Sequence, residues 1–102
     1  MKQLTLAAAQ ITCQDGQVLE NLARATTMAE QAHAQGAQLV LFPEFMPQGY
    51  LLTPALWDSA EPFDGPTTRW LRETSRRLGI YLGTSFLRSE EHTSELQSRQ
   101  VI

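Results

Sequence analysis

Glu44 is the residue whose surroundings point most directly to chemistry. It follows an apolar run and a Phe-Pro pair in LVLFPEFMPQGY, residues 39–50. In parallel α/β sheets, sites gather beyond the carboxyl ends of the strands, and this spacing puts Glu44 there. Pro43 fixes the backbone just ahead of it, and Phe45 and Met46 are expected to supply apolar walls. Desolvation disfavours a charged carboxylate, so a glutamate in such a pocket is tuned towards accepting a proton. A plainer reading stays open, because a Glu after a strand also serves as a solvated loop residue or a helix cap.

Few other groups could join it. Cys13 is the single cysteine and follows the first apolar run, without any nucleophile signature. Free cysteines are among the most buried residue types, so Cys13 reads as structural rather than as a partner for His33 or Glu44. His33 falls next to the apolar stripe of a helix near its end, where an imidazole meets the helix dipole. Lys2 is the one lysine and stands ahead of the first strand.

The elements that must position these residues are legible as alternating apolar runs and amphipathic stretches. Residues 4–11 (LTLAAAQI) read as a buried strand. A helix is predicted from Gln17, with Val18, Leu22, Ala25, Ala29 and Ala32 on one face, Asp15 as its N-cap and Gly36 just past its end. Residues 37–42 (AQLVLF) read as a second buried strand, which makes a βαβ unit with parallel strands. Residues 46–63 carry Pro47, Gly49, Pro54 and Pro62, too many breakers for a long regular element. Tyr50, Trp57 and Phe63 suggest that this loop packs.

Asp64-Gly65-Pro66 then leads into a second helix, with Pro66 at its first position and Trp70, Leu71, Thr74 and Leu78 on one side. Arg69, Arg72, Arg76 and Arg77 occupy the rest and read as a solvated face. Gly79 ends this helix, and residues 80–87 (IYLGTSFL) supply a third strand. The order is β-α-β-loop-α-β, an α/β pattern.

Composition removes several function classes. The 102 residues carry 8 Lys+Arg against 11 Asp+Glu, a formal charge of −3. A nucleic-acid or anionic-membrane surface would need a basic excess instead. One cysteine forms no internal disulfide, and no zinc-ligand spacing is present. No apolar run approaches the ~20 residues of a membrane span, and the start lacks a signal-peptide pattern, so a cytoplasmic, soluble chain is expected. The turn after the first strand, Thr12-Cys13-Gln14-Asp15-Gly16, lacks G-x-G-x-x-G, and there is no Walker-type loop. Neither a cofactor nor a metal is expected.

The character changes after Leu87. Residues 88–102 (RSEEHTSELQSRQVI) are rich in Ser, Glu and Gln, without a helical or strand period, and predict a frayed tail. The string RSEEHTSELQS also resembles the in-frame translation of a common short-read sequencing adapter. That divides the chain into residues 1–87, a partial domain, and residues 88–102, a non-native polar tail.

The arrangement GAQLVLFPEFMPQGY, preceded by AAAQIT and the helix bearing Asn21-Leu22, resembles the amino-terminal part of the nitrilase, or carbon-nitrogen hydrolase, superfamily. The likeness runs from about Leu4 to Leu87 and includes NLARA, Gly49-Tyr50 and RLGIYLGTSF. It implies a four-layer α-β-β-α sandwich and a Glu-Lys-Cys triad. In that chemistry cysteine attacks an amide or nitrile carbon, glutamate takes the proton, and lysine stabilises the developing charge. Glu44 matches the family's general base. Neither Lys2 nor Cys13 matches the other two members, which the resemblance places later in a longer chain. By the same resemblance Tyr50 borders the substrate pocket, although a packed loop aromatic fits it equally.

The expectation is therefore a fragment of a hydrolase acting on small amides, carbamoyl compounds or nitriles, whose full-length parent is a homo-oligomer. The alternative is a non-catalytic truncated chain, or an interaction fragment that binds through its helical faces. In either case a second sheet is missing, so an exposed apolar sheet face and a poorly soluble or partly ordered chain are expected.

Overall fold

The computed structural model describes residues 3–49, 54–88 and 97–101. The elements run β1 (Leu6–Ala8), α1 (Val18–Ala34), β2 (Leu39–Leu41), α2 (Pro54–Asp58), α3 (Pro66–Leu78), β3 (Tyr81–Phe86) and β4 (Gln97–Val101). The four strands form one sheet in the order β1-β2-β3-β4. β1, β2 and β3 are parallel, with Leu6, Leu39 and Tyr81 in one row and Ala8, Leu41 and Gly83 in another. β4 lies antiparallel along β3.

Both long helices end where glycine lets the chain turn. Gly36 sits at φ +91, its N–H donates to His33 O at 2.9 Å, and Ala37 N–H donates to Ala32 O at 3.0 Å. That pair of bonds satisfies the last carbonyls of α1 and sends the chain into β2. Gly79 does the same after α3, at φ +69. Pro66 opens α3, where its missing N–H is harmless.

The two helices pack on the same face of the sheet. Val40 and Leu82 point to that face, and with Ala25, Ala29 and Leu71 they are wholly buried. Trp70 Nε1 donates to Thr26 Oγ1 at 2.7 Å across the helix pair, and its ring meets Phe42 edge-on at 5.6 Å. The four arginines of α3 face solvent, and Arg77 pairs with Glu30 at 3.1 Å. Both partners are half exposed, so this pair contributes little to stability.

The opposite face of the sheet is open. Leu6, Leu41 and Tyr81, one residue from each parallel strand, are 54%, 40% and 62% exposed. The expected apolar face is therefore present.

The structure departs from the sequence reading in four elements, and Trp57 and Phe63, expected to pack, are 54% and 49% exposed. β1 spans three residues instead of residues 4–11 and is not buried, because it is the sheet's edge. The N-cap of α1 is Gln17, without a side-chain cap, while Asp15 sits in the preceding turn. Pro54–Asp58 form a short helix within the Pro-rich loop. The tail, expected to lack regular structure, contributes β4. Pairing of this kind needs only backbone groups, so a polar sequence without alternation can still supply a strand.

Candidate active site

The loops after β1 and β2 meet beside the end of β3, at the carboxyl end of the parallel strands. Glu44 opens a tight turn over residues 44–48 immediately after β2. The turn is anchored to β3 on one side: Thr84 Oγ1 donates to Pro43 O at 3.2 Å, and Phe45 N–H donates to Ser85 Oγ at 3.1 Å. Phe45 adopts φ +55, a left-handed conformation rare for an aromatic residue. Gln48 and Gly49 N–H groups both donate back to Phe45 O, at 3.0 and 2.8 Å, which closes the turn.

On its other side the turn is locked to the loop after β1. Asn21, buried in the first turns of α1, receives Gln14 N–H on Oδ1 at 2.7 Å. Its Nδ2 donates to Gln14 O at 2.7 Å and to Pro47 O at 2.9 Å. Gly16 N–H adds a bond to Gln48 O at 2.7 Å. Gly49 then crosses so close to this loop that a Cβ on it would stand 2.8 Å from Asp15 Cα. A polar side chain on the apolar stripe of a helix is the one sequence signal that Asn21 bridges two loops.

Behind the turn lies a buried polar network absent from the sequence reading. Gln48 and Glu61 are 0% and 3% exposed, and Gln48 Nε2 donates to Glu61 Oε2 at 2.6 Å. Gln48 Oε1 accepts Leu87 N–H at 3.0 Å. Thr67, at the start of α3, donates its N–H to Glu61 Oε1 at 2.6 Å and its hydroxyl to Glu61 Oε2. Burial pushes the Glu61 carboxyl up from the usual carboxylate value, while the Thr67 and Gln48 bonds and the charge of Arg69 pull it down. Nothing in the spacing of Glu61, in Ala60-Glu61-Pro62, marks it as a buried acid.

Among the described residues singled out from the sequence, Glu44, Cys13 and His33 are not bonded to one another. Glu44 is exposed rather than enclosed. Met46 turns into the core instead, at 1% exposure, and Phe45 is half-buried, because the tight turn rotates successive side chains apart. Tyr50 lies outside the described residues. His33 is exposed in the last turn of α1. Among the described residues no hydrogen bond or ion pair joins Glu44 to Cys13 or His33, and no group of side chains could hold a metal ion.

Cys13 is half-buried, with Sγ 4.0 Å from Ile11 O. Burial pushes its thiol up, and the charge of Arg24 offsets this only in part. A nucleophile needs the opposite shift. Iodoacetamide is therefore expected to alkylate Cys13 several-fold more slowly than an unstructured cysteine peptide at neutral pH. A faster rate than the peptide's would return Cys13 to the list of nucleophiles.

A sequence model of the family described as carbon-nitrogen hydrolase matches residues 5–102, and the chain belongs to that family. Among its relatives is an omega-amidase of Danio rerio, 40% identical over 63 residues, which cover 62% of this chain and 22% of that protein. N-carbamoylputrescine amidase of Solanum lycopersicum is 32% identical over 88 residues, covering 81% of this chain and 29% of the relative. Among solved structures, a CN-hydrolase superfamily protein of Xanthomonas campestris superposes with a TM-score of 0.80 at 26% identity. The superposition covers 99% of this chain and 40% of that one, whose active site carries an arsenic adduct. An amidase of Nesterenkonia sp. shares the fold at a TM-score of 0.66 and 24% identity, over 94% of this chain and 41% of that one. The chain spans about a third or less of the length of the curated relatives it matches. Its helices and parallel strands are the N-terminal part of the nitrilase fold. No described helix is long and apolar enough to cross a membrane.

Proposed function

We propose that the chain is the amino-terminal part of an amide hydrolase in which Glu44 is the general base of a Glu-Lys-Cys triad. The observation that carries this reading is the placement of Glu44 beyond the carboxyl end of β2, on a turn held to β3 and to the loop after β1, in a family whose relatives include amidases. The lysine and cysteine belong to sequence beyond this chain. A cysteine thiol is only partly ionised at neutral pH, so a positioned carboxylate that takes its proton speeds attack on the amide carbon. The lysine ammonium stabilises the oxyanion that forms, ammonia or an amine leaves, and water then releases the acid. Small amides and carbamoyl compounds are the substrates this reading favours, with nitriles second. Tyr50 borders their pocket, and the complete protein works in the cytoplasm as a homo-oligomer.

The reading also assigns residues 1–87 to the native domain and residues 88–102 to a non-native tail. The family match and β4 both run into that tail. Adapter codons would then have supplied a strand in place of the native one, which backbone pairing permits.

One experiment tests both parts. The source DNA is sequenced beyond the Leu87 codon, and the extended chain is expressed and assayed for ammonia release from small amides and N-carbamoyl amines. A frame that continues through a lysine and a later cysteine, with ammonia release, is the expected result. If the codons for residues 88–102 and a stop stand in the genome, both the tail assignment and the hydrolase reading fall. The open face at Leu6, Leu41 and Tyr81 would then favour an interaction fragment.

A further inference from the structure

Glu61 is a buried carboxylate with no part in the chemistry proposed above. We infer that Glu61 is a positioning residue: by accepting the Gln48 amide it fixes the 44–48 turn, and with it the backbone that presents Glu44. The importance of this for turnover rests on Glu44 being the base.

The hydrogen bonds run in one direction. Leu87 N–H donates to Gln48 Oε1 at 3.0 Å, and a backbone donor cannot reverse. The amide nitrogen of Gln48 must therefore face the other way, where it meets Glu61 Oε2 at 2.6 Å and Ser59 O at 3.4 Å. At the far end Thr67 N–H, again a fixed donor, takes Glu61 Oε1 at 2.6 Å. Both oxygens of residue 61 must accept, which a carboxylate does and an amide does not. Oε2 accepts the Thr67 hydroxyl as well as the Gln48 amide, so the same carboxylate ties the start of α3 to the turn.

Gln48 is the residue through which this reaches the turn. Its N–H donates to Phe45 O at 3.0 Å and its carbonyl accepts Gly16 N–H at 2.7 Å. Glu61 N–H is itself bonded to Leu87 O at 3.0 Å, so the anchor point is fixed to the end of β3. The turn is thus held from below by Glu61 and from the sides by Asn21 and Ser85.

The directionality gives a specific test. Glu61→Gln sets an NH2 group against either the Gln48 amide or Thr67 N–H, whichever way it turns. Gln48→Glu sets two carboxylates face to face. The double exchange, Gln48→Glu with Glu61→Gln, gives up the 3.4 Å bond to Ser59 O but restores the rest: the carboxylate at 48 accepts from Leu87 N–H and from the new amide, whose oxygen accepts Thr67 N–H.

Hydrogen exchange of this chain, read by mass spectrometry, would compare residues 44–49 with α1. Glu61→Gln is expected to speed exchange at 44–49 by roughly ten- to a hundredfold relative to α1, the cost of an unmatched buried polar group. The double exchange is expected to return it to within about threefold of the parent. Unchanged exchange at 44–49 in Glu61→Gln overturns the inference. So does loss of protection throughout the chain that the double exchange fails to restore; recovery by the double exchange supports it even if the single variant unfolds.

In the extended chain, Glu61→Gln is expected to lower kcat about tenfold or more with little change in KM, and the double exchange to recover it. If the unsubstituted extended chain releases no ammonia, the hydrolase reading fails, while the exchange data still decide what Glu61 does.

Discussion

Replacing Glu44 by glutamine in the extended chain is expected to lower kcat for amide hydrolysis by about 10²–10⁴-fold, the usual contribution of a general base. Stability is expected to stay within ~0.5 kcal/mol of the parent, as for surface substitutions away from special features. The side chain is exposed, and among the described residues its carboxylate joins no hydrogen bond or ion pair. The turn that carries it is held by backbone groups and by Ser85, Thr84, Asn21 and Gln48, none of which touches the Glu44 carboxylate. Loss of turnover without loss of fold is thus the signature that separates a base from a structural acid. Steady-state ammonia release and a denaturant melt check both halves. A kcat within about threefold of the parent would remove Glu44 from the chemistry.

The second large effect is on stability. Gly49→Ala is expected to destabilise the fold by about 2–5 kcal/mol, from a left-handed backbone cost of ~1–2 and overpacking of ~1–3. Gly49 sits at φ +87, and an added Cβ would meet Asp15 Cα at 2.8 Å, Asp15 N at 3.3 Å and Gln14 O at 3.3 Å. All three are backbone atoms of a loop that Asn21 and Gly16 already pin, so the contact cannot be relieved by a rotamer change. Gly36 is the control. It has nearly the same φ, +91, but nothing lies within 4 Å of its Cβ position. Gly36→Ala should therefore cost only the conformational part, about 1–2 kcal/mol. Chemical denaturation of the two variants measures the difference. Equal losses would mean that the approach of the two loops is not a tight contact.

These effects show which parts of the molecule were readable from the chain. The two long helices and three of their four ends were, because the spacing of Leu22, Ala25 and Ala29 and the placement of Gly36, Pro66 and Gly79 are local signals, whereas the start of α1 and the short α2 were not. The parallel strands were readable as existing, with β1 overextended, since an apolar run does not say which strand lies at an edge. Glu44 was placed correctly after β2 because the Phe-Pro pair ends the strand. Of the two environments open to it, apolar pocket or solvated loop, the structure shows the exposed one, for the tight turn sends Met46 into the core.

The support of the turn was the least legible part. Glu61 and Gln48 are 13 residues apart, and their bond depends on how a Pro-rich loop returns to the sheet. No periodicity encodes that. Asn21 stands out in the sequence only as a polar residue beside an apolar stripe, and its three bonds to two loops appear only once those loops are folded.

The open face formed by Leu6, Leu41 and Tyr81 bears on how such a protein is made. In a chain of the relatives' length, these strands leave the ribosome first, and two-thirds or more of the sequence is still to come. At ~5–20 residues per second, the ~200 residues still to come take roughly 10–40 s to translate. The helical layer can close over Val40 and Leu82 at once, whereas the opposite side must wait for strands that do not yet exist. For that interval the nascent chain presents an apolar sheet with an open edge at β1, the kind of surface that chaperones hold and that neighbouring chains capture.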